Sequence, residues 1–173
     1  MNLDLSGKTA LVCGSTQGIG KASAVEMASL GANIILVARN EESLKEALKD
    51  LDVSKGQKHD FLAVDFQTPT ILKEKVENFI ATHGAIHILV NNTGGPPSGL
   101  IQNAKVDEFL QAFNNHLVCN HILVQVVLQG MKDEKYGRIV NIISTSVKIP
   151  LKNLGVSNTI RADIANLSKA LAD

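Results

Sequence analysis

The sequence has 173 residues, 45% hydrophobic and 20% charged, which suits one globular domain with its own core and excludes a disordered chain or a coiled coil. Seventeen basic residues balance seventeen acidic ones, and no basic run is present to neutralise a row of phosphates, so nucleic acid is not an expected partner. No apolar stretch reaches the ~18 to 20 residues of a membrane span, and Met1-Asn2-Leu3-Asp4-Leu5 lacks the features of a signal peptide, so the expected setting is the cytoplasm, away from membranes.

Short apolar runs alternate with segments of helical period, the pattern of a βαβ series around a parallel sheet. Thr9 to Cys13 reads as the first strand, followed by a glycine-rich turn and a helix to about Leu30. Asn33 to Ala38 is the second strand, and Asn40-Glu41-Glu42 starts a helix with an N-cap and acids in its first turn. Leu44, Ala47, Leu48 and Leu51 form its buried stripe. Phe61 to Val64 is the third strand; Thr68-Pro69 opens a helix carrying Leu72, Val76, Phe79 and Ile80 inward. Ile86 to Val90 is the fourth strand, after which a loop rich in Asn, Gly and Pro runs from Asn91 to Gly99. Val106, Phe109, Leu110, Phe113 and Leu117 then mark the apolar face of a long helix. Arg138 to Ile143 is the fifth strand, and Ile160, Ile164, Leu167 and Leu171 share one face of a last helix. A sixth strand is expected beside the fifth, because an open sheet edge is otherwise left. Cys13 and Cys119 lie in apolar segments and read as buried free thiols. His83 and His87 read as surface residues, since no third ligand accompanies them.

The turn Gly14-Ser15-Thr16-Gln17-Gly18-Ile19-Gly20 lies between the first strand and its helix. There glycines permit a tight turn and bring backbone amides to a pyrophosphate at the positive helix end. The spacing G-x-x-x-G-x-G differs from the general dinucleotide fingerprint, but its position in the chain points to a dinucleotide site made by all seven residues. An acidic residue at the end of the second strand favours NAD by accepting from the ribose hydroxyls. Here Ala38 is followed by Arg39, a cation suited to a 2′-phosphate, so NADP(H) is favoured over NAD(H); the alternative is a solvated arginine. Asp65, after the third strand, is a candidate for the adenine or a cap for its own loop.

Taken together, these residues resemble the short-chain dehydrogenase/reductase family in its compact form, which includes the 3-oxoacyl carrier-protein reductases. Gly14-x-x-x-Gly18-Ile19-Gly20 looks like its T-G-x-x-x-G-I-G, with Cys13 in place of the threonine. Asn91-Asn92-Thr93-Gly94 is similar to N-N-A-G, and Gly137 to Ile142 to G-R-I-V-N-I. The resemblance implies an α/β fold, a Rossmann-like doubly wound parallel sheet of strand order 3-2-1-4-5 as far as the chain extends. It also implies a single NADP(H)-binding domain over residues 1–173, lacking the C-terminal strands and substrate loop of the family, and makes Asn91 a cofactor-proximal candidate. Two helices, over 105–131 and 154–172, correspond to those across which family members pair, which makes homo-oligomerisation an expectation by resemblance; burial within one subunit is the simpler reading.

Family chemistry uses Asn, Ser, Tyr and Lys, with the tyrosine moving a proton while hydride crosses to or from the nicotinamide. Ser144 falls at the serine position, but Ser157 stands at the tyrosine and Arg161 at the lysine, so Y-x-x-x-K reads S-x-x-x-R. His116 stands at the asparagine position. An alkyl hydroxyl is a far weaker acid than a phenol, and an arginine stays charged and does not shuttle protons, so Arg161 is left with cofactor binding. His116, with an ordinary pKa of about 6.5, is then the candidate general acid, Ser144 polarising the carbonyl. The bland alternatives are a packed histidine and a serine bonded to backbone. The single tyrosine, Tyr136, precedes the fifth strand, away from the carboxyl ends where such sites lie. The expected function is therefore an NADP(H)-dependent oxidoreductase acting on a small-molecule carbonyl or alcohol at a remodelled site. The alternative is a catalytically inactive dinucleotide-binding protein with a regulatory or structural role.

Overall fold

Alternation along the first strand decides the architecture. In a strand, successive side chains point to opposite faces, and in β1 (Thr9–Cys13) both sets are apolar and wholly buried from Ala10 onward. A strand buried on both faces belongs at the centre of a parallel sheet with helices on each side. The computed structural model, which describes residues 2–172, has that form.

Five parallel strands, β1, β2 (Asn33–Ala38), β3 (Asp60–Ala63), β4 (Ile88–Asn91) and β5 (Arg138–Asn141), lie in the order β3-β2-β1-β4-β5. This is the Rossmann-like order expected. On one face Ala10, Val12, Ile34 and Leu36 meet α1 (Gly18–Ser29) and α2 (Glu41–Leu48) through Ala24, Ala28, Leu44 and Ala47. On the other face Leu11, Cys13, Ile35 and Leu89 meet α3 (Pro69–His83) and α5 (Cys119–Asp133) through Leu72, Val76, Leu123 and Val127. Each wholly buried Leu or Ile contributes about 2 kcal/mol by leaving water. Asn40 caps α2, its Oδ1 accepting from the Ser43 N–H at 2.8 Å.

The long helix differs from expectation in two ways. It is α4 (Val106–Phe113) joined to α5 by a π-helical turn, Asn114–Val118. Its predicted apolar face is also not the buried one: Val106, Leu110 and Phe113 point outward, at 74%, 57% and 42% exposure. The buried contact is made by Ala112, with Phe109 and Leu117 half-buried, against Val156, Ile160 and Ile164 of α6 (Gly155–Ala170). Periodicity identifies residues that share a face but not which face turns inward.

His87, expected at the surface, is buried. Its Nδ1 accepts the Thr9 N–H at 3.0 Å and so closes a main-chain donor at the start of β1. Burial, and secondarily Lys8, lowers its pKa. His83 is exposed and stacks on Phe79. Among the described residues β5 pairs only with β4, and no helix is long and apolar enough to cross a membrane.

Candidate functional site

The chain leaves β1 at Cys13 and turns at once. Gly14 adopts φ 58°, its N–H bonds the Val37 carbonyl at 2.8 Å, and a Cβ there would lie 2.5 Å from the carbonyl oxygen of Asn92. Gly20, in the first turn of α1, packs so tightly that a Cβ would lie 2.3 Å from the Gly14 carbonyl oxygen. Gly18 is different: it takes φ 56° and a Cβ would meet nothing within 4 Å. The loop thus closes against the protein at two glycines and opens at the third. Ser15 braces it from below, fully buried, accepting the Val37 N–H at 3.0 Å through Oγ. Gln17 offers no side-chain cap to α1, and the first turn holds no acid, so its orphan N–H groups and positive end face outward unopposed.

A cavity of about 550 Å³ lies over this loop, at the carboxyl ends of β1 to β4. Gly14, Thr16, Gln17 and Gly18 form one wall, Ala38, Arg39 and Asn40 the next. The loop after β4, Gln111 of α4, and Asn115 and His116 of the π turn close the far side. Arg39 and Glu108 are the charged side chains at neutral pH among the described lining residues. Glu108 is engaged, accepting the Lys105 N–H through Oε2 at 2.8 Å; among the described residues Arg39 makes no ion pair. Such a cradle, with open space beside Gly18, an uncapped helix end and, among the described residues, Arg39 as a cation outside any ion pair, fits an anionic dinucleotide.

Several predicted residues take other places. Asn91 is buried and turned away from the cavity, donating through Nδ2 to Asn141 Oδ1 at 2.8 Å to join β4 to β5. Its neighbour Asn92 is the one on the cavity, donating through Nδ2 to the carbonyls of Cys13 and Gly14 at 3.3 and 3.2 Å. Successive residues leave a strand on opposite sides, so only one of the pair faces the cavity, and the doubled Asn was the available signal. Asp65 does not line the cavity; its Oδ1 takes the Gln67 N–H at 2.9 Å, the capping alternative. Ile19 is 59% exposed and off the cavity wall, as is buried Ser15. Nothing in the sequence singled out Gln67, Gln111 or Asn115, which depend on tertiary placement.

The four predicted catalytic positions are not gathered into one open site. Ser144 caps a short 3-10 turn, its Oγ accepting the Ser146 N–H at 3.1 Å, and neither it nor Ser157 lines the cavity. His116 lies on the π turn, is 1% exposed, and forms a hydrogen bond between Nδ1 and Thr93 Oγ1. Burial, reinforced by the neighbouring Arg161 charge, lowers its pKa from 6.5 to about 4. With that shift the ring is neutral near pH 7, which bears on the proton-donor role expected of His116. Arg161 is buried and bonded to two main-chain carbonyls rather than exposed to a ligand. Tyr136 lies at the opposite end of the sheet, its ring approached by Lys8 at 4.6 Å and Arg138 at 4.7 Å.

Residues 8–173 match the family model described as short chain dehydrogenase. The chain belongs to the short-chain dehydrogenase family. Within it, the chain is 34% identical over 167 residues to the inactive hydroxysteroid dehydrogenase-like protein 1 of Homo sapiens, a match covering 95% of this chain and 50% of that protein. It is 34% identical over 170 residues to the 3-oxoacyl-(acyl-carrier-protein) reductase of Haemophilus influenzae, covering 97% and 68%. The structure of L-sorbose reductase from Gluconobacter frateurii, complexed with NADPH and L-sorbose, superposes with a TM-score of 0.93 at 32% identity, over 99% of this chain and 65% of that one. The chain thus spans about half the length of its hydroxysteroid dehydrogenase-like relatives.

Proposed function

We propose that the chain binds NADP(H), in preference to NAD(H), in the cavity over the Gly14 to Gly20 loop, and serves an oxidoreductase acting on a carbonyl/alcohol pair. The observation that carries the reading is Arg39, a cation without an ion pair among the described residues, in the same cavity as the uncapped end of α1, with no carboxylate at the end of β2. The loop amides would hold the pyrophosphate and Arg39 the 2′-phosphate. The nicotinamide, when bound, supplies or accepts the hydride. Of the chain's own residues, Ser144 is assigned to polarising the substrate oxygen once released from Ser146. His116 acts as a neutral hydrogen-bonding group on Thr93, and Ser157 stands where the resemblance puts the tyrosine, which makes the site a remodelled one. NADPH complexes among the structural neighbours support the cofactor choice. Free buried thiols support a cytoplasmic setting, and the outward stripe of Val106, Leu110 and Phe113 supports self-association through the 105–131 and 154–172 helices.

Titration of NADPH and NADH into the purified chain, followed by nucleotide fluorescence, tests the reading. Tighter NADPH binding is expected, and Arg39→Ala should weaken NADPH on the order of tenfold while leaving NADH nearly unchanged. Equal affinities in the unaltered chain would remove the 2′-phosphate assignment.

A second reading, dinucleotide binding without catalysis, is favoured by the low pKa of His116, which leaves no side chain among the described lining residues suited to donating a proton near pH 7. Hydride transfer from NADPH to a panel of carbonyl compounds decides between the two; measurable turnover excludes the second.

A further inference from the structure

Arg161 belongs to α6, yet its guanidinium serves two loops on other elements. Nη1 donates to the Ile142 carbonyl at 2.7 Å and Nη2 to the Thr93 carbonyl at 3.2 Å. Ile142 lies on the path from β5 to Ser144, and Thr93 follows β4 and lines the cavity. Both carbonyls lie just beyond their strands, where a buried main-chain acceptor needs a partner from elsewhere. A planar fork with donors at fixed spacing meets two such acceptors at once, which a single ammonium does less well. The residue is 9% exposed and does not line the cavity.

Thr93 is held at two points and its neighbour at a third. Arg161 takes its carbonyl, His116 meets its hydroxyl, and the preceding Asn92 is bonded to the carbonyls of Cys13 and Gly14. Hydrogen bonds joined by the Asn92–Thr93 main chain therefore lead from α6 through the loop after β4 to the phosphate loop.

We propose that Arg161 is a positioning residue for this cavity: by clamping the Thr93 and Ile142 carbonyls it fixes the wall on which a dinucleotide rests and the approach to Ser144, without touching the nucleotide. The inference rests on the NADP(H) reading of the cavity. It departs from the role that the resemblance implies for this position, a ligand of the nicotinamide ribose.

The test compares Arg161→Lys and Arg161→Gln in the full chain, with two probes. NADPH carries the nicotinamide ribose; adenosine 2′,5′-bisphosphate lacks it. A clamp weakens both probes by the same factor, on the order of tenfold, because the wall itself loosens. Loss confined to NADPH makes Arg161 a ribose ligand and overturns the proposal, as does unchanged binding of both. A second measurement needs no nucleotide: the titration of the His116 ring protons by NMR. Arg161→Gln removes the cation beside His116 and raises its midpoint, whereas Arg161→Lys keeps the charge and moves it little; Arg39 and Glu108, the other charges on the cavity, are the same in both. An unmoved midpoint in folded Arg161→Gln overturns the clamp. If that variant does not fold, the paired-probe result with Arg161→Lys decides alone. Failure of the unaltered chain to bind NADPH overturns the nucleotide reading, and the His116 titration then decides the clamp separately.

Discussion

Asn92 donates through Nδ2 to the Gly14 carbonyl at 3.2 Å, so the loop that follows β4 holds the phosphate loop from behind. The same amide reaches the Cys13 carbonyl at 3.3 Å. One side chain thus serves the last carbonyl of β1 and the first beyond it, and its removal loosens the loop at the point where its geometry is tightest.

Asn92→Ala should lower the unfolding free energy by about 2 kcal/mol, the net contribution of two partly buried hydrogen bonds. It should weaken NADPH binding as well. Urea denaturation followed by circular dichroism gives the first, and nucleotide titration of the folded variant the second. A variant as stable as the parent would show that the two carbonyls find other partners.

Gly20→Ala places a methyl 2.3 Å from the Gly14 carbonyl oxygen, a backbone atom that cannot step aside alone. The expected cost is about 1 to 3 kcal/mol from overpacking. Gly99→Ala is the control, since a Cβ there meets nothing within 4 Å and the position lies off the cavity; its midpoint in thermal melting should stay close to the parent's.

Acid should weaken the fold through His116. Above the usual 6.5 neither folded nor unfolded chain holds the proton, and the full stability is present. As pH falls from 6.5 toward about 4 the unfolded chain binds a proton that the folded chain refuses, so about 3 kcal/mol is lost across that window and no more below it. The lowered pKa of buried His87 acts with the same sign. Denaturant midpoints at pH 7, 5.5 and 4.5, with His116→Gln beside the parent, check this: the variant should show the smaller decline.

Cys13 and Cys119 should resist thiol reagents in the native protein. Both are wholly buried, and burial pushes each thiol up to about 12, leaving almost no thiolate at pH 8. Reaction with a disulfide reagent should begin only as the chain unfolds in denaturant. Prompt labelling of either thiol in the folded state would show that the sheet opens locally at β1 or α5.

The sheet was legible because its strands are short apolar runs, the three central ones buried on both faces, a signal that Ala10 to Cys13 and Ile34 to Val37 carry in full. The start of α2 was legible for a similar local reason, since Asn40 bonds a residue three positions on. The glycine loop was readable from spacing, but the choice between Asn91 and Asn92 was not, because it depends on which side of β4 faces the cavity. His116 shows the limit most clearly. Its residue type suggested a proton donor, whereas its protonation state is set by burial and by Arg161, 45 positions away in sequence. The outward stripe of α4 has the same origin: the sequence carries the period of a helix, and the partner elements choose its phase.

The π turn at Asn114–Val118 has a consequence for length. It contains one residue more than an α-helical turn of the same rise would use. Removing any single residue between 114 and 118 would restore regular pitch and swing everything on one side by about 100° relative to the other. His116 would then lose Thr93, or α5 would turn Leu123 and Val127 away from the sheet. Replacement of individual side chains in this stretch is a local matter, whereas a one-residue deletion is a rotation of half the helix. Residue count, more than residue identity, is what keeps the cavity wall and the core in phase.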